Sequence, residues 1–259
     1  HSLGLFYSAI TYYLGFKVNS AEYKVMGLAP YGDPDKYYGK FKELMEIKDD
    51  GSISLNMKYF SYEYGLRMTN KNFDKLFGSA PRKPESPLTQ REKDIAAALQ
   101  KITNEIVLKI VDHARKVYPS KNLCLAGGVA LNCVTNGKIL EKNWFENIYI
   151  QPAAGDAGGA VVAALFVYFN GLRNTYPLQN GRTMETVYLG PEYSDAEIEN
   201  FLNKEVKEII GENNKVVYTK LSSDEVISKV SDLITGNNVV GLFGGRIEYG
   251  PRSLGNRSI

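Results

Sequence analysis

Apolar residues recur along this chain at three- and four-residue steps over long stretches, with short unbroken apolar runs between them. The first pattern predicts amphipathic helices and the second buried strands. Residues 2–15 read as a short helix: Ser2 suits the N-cap, Leu3, Phe6, Tyr7 and Ile10 share one face, and Gly15 suits the stop. A second helical piece, Glu22–Leu28, runs into the turn cluster Ala29-Pro30-Tyr31-Gly32-Asp33-Pro34, and Asp35–Ile47 reads as another amphipathic helix. Short alternating segments over 50–65, after Asp49-Asp50-Gly51-Ser52, suggest a hairpin. Residues 79–88, with Pro81, Pro84 and Pro87, form a loop. The longest helix spans about Thr89–Tyr118, with Ile95, Leu99, Ile102, Ile106, Ile110 and Val117 on one stripe and Thr89 and Glu92 as a capping box.

The next elements alternate strand and helix: strand Asn122–Ala126, a Gly-Gly turn, helix Ala130–Leu140, strand Asn147–Ile150, a Gly-rich turn and an Ala-rich helix Gly158–Tyr168. That order predicts an α/β layer architecture. Periodicity breaks over 170–190, which places a domain boundary there. Beyond it, Ser194–Ile209 reads as a helix with Ser194 and Glu197 as capping partners. Val216–Leu221 reads as a strand, Ser223–Thr235 as a helix and Asn238–Phe243 as an apolar strand.

The length of 259 residues suffices for one or two domains, and 44% apolar with 23% charged residues is the balance of an ordinary globular protein. A net charge of +2 is too weak to argue for general nucleic-acid or membrane binding, and no such partner is expected. No apolar run approaches the ~20 residues of a membrane span and no signal peptide is visible. Cys124 and Cys133 show no metal-ligand spacing and read as buried thiols of a reducing compartment, so a cytoplasmic location is expected. The chain begins at His1 without a Met and stops within a motif, so it reads as a piece of a longer protein.

Four segments offer chemistry. The stretch from Gly245 to Ile259 gathers Arg246, Arg252 and Arg257 with three glycines. Arginine forks suit oxyanions and glycine admits a ligand to the backbone, so this block reads as a cradle for a small anion; the alternative is a solvated basic tail. In Leu125-Ala126-Gly127-Gly128-Val129-Ala130-Leu131-Asn132-Cys133 a strand enters two glycines and then a helix, a geometry that favours a phosphate. It matches neither the dinucleotide nor the Walker fingerprint, and the glycines would equally allow tight packing. Gln151-Pro152-Ala153-Ala154-Gly155-Asp156 sets one carboxylate among small residues, either an N-cap or a hard ligand for a divalent metal beside a phosphate. Lys24, in KVMGLAPYG, would reach a phosphate or lie on the surface, and Gly27 beside it suggests close backbone approach. His113 and Trp144 read as surface or packing residues.

Together the segments HSLGLFYSAITYYLGF, KVMGLAPYG, LAGGVALNC, QPAAGDAGGAVVAAL, GPEYSD and GRIEYGPRSLGNRSI resemble the nodulation-protein-U type carbamoyltransferases, over essentially the whole chain. The family often has Ala where Ser253 stands. The resemblance implies an α/β protein in two parts. Residues 1–185 would be the later part of an actin/hexokinase/heat-shock-70-like (ribonuclease-H-like) domain that binds an adenylate and an iron-type divalent metal. Residues 186–259 would open a second α/β domain that handles carbamoyl phosphate.

The resemblance further implies that ATP and carbamoyl phosphate give a carbamoyl-adenylate, which passes to a hydroxyl acceptor. Asp156 would be the metal ligand; Gly127, Gly128 and Asn132 would cradle the nucleotide, with Lys24, Gly27 and Gly155 bordering the pocket. Arg246, Arg252 and Arg257 would meet carbamoyl phosphate or the polyphosphate. The family's paired metal-binding histidines have no counterpart, since His1 and His113 do not match them, so this stretch alone is expected to bind metal weakly and to be inactive. A hexokinase-type kinase and a non-enzymatic nucleotide-binding scaffold are the alternatives. Acceptor identity and oligomeric state stay open.

Overall fold

The computed structural model describes residues 1–175, 184, 186–204 and 217–259. It is a mixed α/β structure whose described sheets are each two-stranded. Two compact units are distinguished, His1–Asp156 and Ala157–Ile259. Residue 185, at the sequence-based division 185/186, lies outside the described residues.

In the first unit Ser2 caps α1 (Leu3–Tyr13) by accepting the Leu5 N–H at 3.2 Å, and Gly15 ends the segment with φ 74°. Next come α2 (Glu22–Leu28), a 3-10 turn over Ala29–Tyr31 and α3 (Asp35–Leu44). The helix expected over Asp35–Ile47 stops at Leu44, because Met45–Ile47 becomes β1 and pairs antiparallel with β2 (Ile53–Leu55). The expected hairpin therefore exists but starts earlier. Its turn brings Gly51, at φ 83°, so close to α5 (Gln90–Val117) that a Cβ would lie 2.4 Å from the Ile110 backbone nitrogen.

Helix α5 organises this unit. Thr89 and Glu92 form the expected capping box, and Ile95, Leu99, Ile102 and Ile106 are fully buried. The stripe does not stay buried to its end: Ile110 is 43% and Val117 51% exposed, beyond the reach of the core that covers its first half. That core joins α1, α2, α3 and α4 (Lys71–Phe77), and an aromatic cluster ties α1, α3 and α4 together. Phe73 and Phe77 stack at 4.4 Å, and Phe6 meets Phe41 edge-on at 5.9 Å. Strand β3 (Asn122–Leu125) pairs in parallel with β4 (Asn147–Ile150); between them lie a 3-10 turn, Gly128–Leu131, and α6 (Cys133–Glu141). Because that sheet has two described strands, Cys124 is exposed, and Cys133 on the first turn of α6 is exposed as well. The expectation of buried thiols is corrected accordingly.

The second unit holds α7 (Gly159–Phe166), continued by a π-turn over Val167–Gly171, then α8 (Asp195–Lys204) and α9 (Ser223–Thr235). The Ser194–Glu197 capping interaction forms, with the Glu197 carboxylate accepting from the Ser194 N–H at 2.8 Å. The later part of the helix expected to Ile209 lies outside the described residues, as does Val216. Residues 217–221 are described and form no strand. The apolar run 238–243 contributes two residues to β5 (Leu242–Phe243), which pairs antiparallel with β6 (Arg257–Ser258).

Candidate nucleotide cradle and arginine loop

Two small-residue turns follow β3 and β4, and the parallel pairing of those strands sets the turns side by side. The Gly127 N–H donates to the Ala154 carbonyl at 2.7 Å. A Cβ on Gly155 would lie 3.9 Å from the Gly128 Cα. Gly127 sits at φ 95°, a backbone conformation that favours glycine. A Cβ on Gly127 or Gly128 would meet nothing within 4 Å, so the outer side of this bend is open space. Asp156 follows directly and is exposed.

Neighbouring elements close around the same bend. A Cβ at Gly4 of α1 would touch Val129 Cγ2 at 3.6 Å, which brings the chain's opening segment onto the 3-10 turn. The Cys133 Sγ lies 3.8 Å from Met26 Sδ, so α2 abuts the start of α6. Lys24 and Gly27 are both exposed on α2, and a Cβ at Gly27 would meet nothing. Among the described residues no other part of the protein lies against Gly27.

Asn132 is the exception among the expected cradle residues, because its amide faces inward. Its Oδ1 caps α6 by accepting the Thr135 N–H at 3.0 Å, and its Nδ2 donates to Gln100 Oε1 at 3.0 Å. Gln100 also lies within hydrogen-bond distance of Asn104 and Thr135. This buried network borders a cleft of about 460 Å³ lined by Met26, Pro30, Gly32, Gln100, Asn104 and Val134. Sequence reasoning missed Gln100. Its signal was a polar residue beside Leu99 on the buried face of a long helix, where an amide needs a partner of its own kind.

The turn 29–34 is latched to α5 by a buried carboxylate. Asp94 accepts from the Asp33 N–H at 2.9 Å, from Lys36 at 2.7 Å and from Gln90 at 2.8 Å. Burial pushes its carboxyl upward, but the Asp33 N–H, Lys36 and Gln90 outweigh that and hold it below the usual range. Gly32 is required by contact: a Cβ there would lie 2.0 Å from the Lys93 carbonyl oxygen.

Among the described residues no group of three or more His, Cys, Asp or Glu side chains could hold an ion, and Asp156 offers one carboxylate. His1 Nδ1 accepts the Leu55 N–H at 3.0 Å, and His113 is exposed.

In the second unit the arginine segment folds as a closed loop. Gly244 N–H donates to Asn256 O, and Asn256 Nδ2 to Arg246 O, both at 2.8 Å. Gly250 and Gly255 take φ 109° and 119°. Arg246 is exposed, with its Nε donating to Gly190 O at 3.1 Å. Arg257 turns inward: its Nη2 bonds the Gly250 carbonyl and approaches the Arg252 carbonyl at 3.5 Å. At the centre is Glu248, whose side chain is 0% exposed. Its Oε1 accepts from the Leu254, Asn256 and Arg257 N–H groups at 2.9, 2.8 and 3.2 Å. Burial raises the Glu248 carboxyl, but backbone donors from Leu254, Glu248 itself, Asn256 and Arg257 prevail and lower it to about 2. Sequence reasoning missed this residue as well; the signal was a lone acid inside an arginine-rich loop.

Comparison with known proteins bears on both regions. Residues 1–165 match the family model described as carbamoyltransferase N-terminus, and residues 231–259 match carbamoyltransferase C-terminus. Over its whole length the chain is 52% identical to an uncharacterized protein of Synechocystis, covering 41% of that protein. It is 38% identical to nodulation protein NolO of Bradyrhizobium diazoefficiens and 37% identical to nodulation protein NolNO of Sinorhizobium fredii, again over its whole length, covering 43% and 34% of them. The chain thus spans about two-fifths of the length of these relatives. With the N-terminal model matching well over half of its residues, the chain belongs to the carbamoyltransferase family.

Proposed function

We infer that this chain is part of an ATP-dependent O-carbamoyltransferase. The observation that carries the reading is the pair of family matches, one over the small-residue turns and one over the arginine loop. In the proposed reaction carbamoyl phosphate, ATP and one water give carbamoyl-adenylate, pyrophosphate and phosphate. The carbamoyl group then passes to a hydroxyl acceptor and AMP leaves.

Gly127, Gly128 and Gly155 admit the nucleotide phosphates to the backbone, and the open space at the first two supports this. Lys24 and Gly27 border the same pocket. Asn132 acts indirectly, by fixing the start of α6. The arginine loop supplies positive donors that neutralise the anion of carbamoyl phosphate as its phosphate departs. Asp156 is the residue that would ligate a divalent cation beside the nucleotide, and further donors would have to come from outside the described residues. An actin/hexokinase-like arrangement of the first part belongs to the same proposal.

The test is pyrophosphate release from ATP by the full-length protein, with and without carbamoyl phosphate. Release that depends on carbamoyl phosphate supports the reading, and Arg246→Ala should then raise the KM for carbamoyl phosphate about tenfold or more. ADP as the product would point to a kinase. No turnover, with nucleotide still bound, would point to a scaffold.

A further inference from the structure

We propose that Glu248 is the positioning residue of the arginine loop: its carboxylate is the internal anion around which residues 244–257 close, and it makes Arg257 a strut of that loop instead of a contact for a bound anion. The inference rests on the reading that this loop meets carbamoyl phosphate, and it assigns the arginines different work.

The geometry is that of an anion site already filled from within. Three backbone N–H groups, from Leu254, Asn256 and Arg257, converge on one carboxylate oxygen. The second oxygen lies 3.4 Å from Arg257 Nε. The same guanidinium bonds the Gly250 carbonyl and approaches that of Arg252, so Arg257 ties three points of the loop together. Gly250 and Gly255, both at positive φ, let the chain curl tightly enough for the three N–H groups to converge. The three bonds to Oε1 are charge-assisted and shielded from water, which makes them strong, while Oε2 accepts no hydrogen bond and meets Arg257 as an ion pair.

A glutamine at this position could not replace the carboxylate. It keeps one acceptor oxygen but sets a donor amide against Arg257 Nε, two donors face to face. An aspartate keeps the charge but is one methylene short. Arg246, by contrast, is exposed and outside this cluster, with its Nε on Gly190 O. Removing Arg257 should therefore act through loop order, and removing Arg246 through loss of a ligand contact.

The experiment compares the full-length protein with Glu248→Gln, Glu248→Asp, Arg257→Ala and the Glu248→Gln/Arg257→Ala double variant. Hydrogen exchange over 244–257 is read beside kinetics. Glu248→Gln and Arg257→Ala should each speed exchange there about tenfold or more, the double variant no further than the worse single, and exchange along α5 should stay unchanged. The KM for carbamoyl phosphate should rise by a similar factor while the KM for ATP moves less than about twofold, and Glu248→Asp should recover part of the loss. Unchanged loop exchange in both single variants, additive effects, or equal rises in the two KM values would overturn the proposal. If the unaltered protein shows no response to carbamoyl phosphate, the functional reading fails on its own, and the exchange data still decide the role of Glu248.

Discussion

The segment KVMGLAPYG contains two glycines whose replacement by alanine should have opposite results. At Gly32 a Cβ would stand 2.0 Å from the Lys93 carbonyl oxygen, 2.2 Å from its carbon and 2.6 Å from the Asp94 nitrogen. Ordinary contact begins near 3.4 Å, so the 29–34 turn would have to retreat from α5 by more than an ångström. That displacement would break the 2.9 Å bond from the Asp33 N–H to Asp94, the anchor of the turn. A lost hydrogen bond to a charged acceptor costs about 1.5–3 kcal/mol and forced overpacking roughly 1–3 kcal/mol. Gly32→Ala should therefore cost roughly 2.5–6 kcal/mol, a large part of a typical domain's stability of about 5–15 kcal/mol. At Gly27 a Cβ meets nothing and the residue lies in α2, so alanine there should be neutral or gain up to about 1 kcal/mol. Urea unfolding followed by circular dichroism reads both values. A Gly32→Ala loss below about 1 kcal/mol, or a Gly27→Ala loss as large as that of Gly32→Ala, would refute the packing argument. Because Gly27→Ala leaves the fold intact, any drop in ATP affinity it causes reports a ligand at that surface.

Two further outcomes follow from buried polar groups. Asn132→Ala removes the cap of α6, worth about 1 kcal/mol, and leaves the buried Gln100 amide short of a partner, worth about 1–3 kcal/mol more, so thermal unfolding should show a loss of roughly 2–4 kcal/mol; a loss under about 0.5 kcal/mol would contradict the assigned network. The Glu248 carboxyl, lowered from 4.5 to about 2 in the folded loop, binds fewer protons there than when unfolded, so its stabilisation is complete above pH 4.5 and drains away as pH falls toward 2. Amide protection at Leu254, Asn256 and Arg257 should decline across that window in the unaltered protein, and an unchanged pattern down to pH 2 would contradict it.

Much of the fold was legible because its signals were local. Ser2, the Thr89–Glu92 pair and the Ser194–Glu197 pair announced their helix starts, and each forms as expected. The stripe Ile95, Leu99, Ile102, Ile106 marked the face of α5 that the core would cover, since period and burial share one cause. What failed was non-local. Nothing within Asp35–Ile47 reports that its last three residues will pair with Ile53–Leu55, because strand pairing is decided by the partner segment. Likewise the apolar run 238–243 yields two strand residues, the two whose partners are Arg257 and Ser258.

The candidate site follows the same division, with residue types legible and their orientation hidden. Glycine spacing located both turns, yet their adjacency depends on β3 and β4 lying parallel, a tertiary fact. Asn132 looked like a cradle residue from its place in LAGGVALNC, but a cap and a buried amide partner thirty-two residues upstream draw its side chain inward. Arg257 is the sharper case. Three arginines in fifteen residues read as three equivalent donors only while the single acid among them is ignored. Once Glu248 is buried it must be compensated, because an uncompensated carboxylate in that position would be strongly destabilising. One guanidinium and three backbone amides supply that compensation. The positive charge the loop presents outward is therefore smaller than its composition suggests, and better fixed in place.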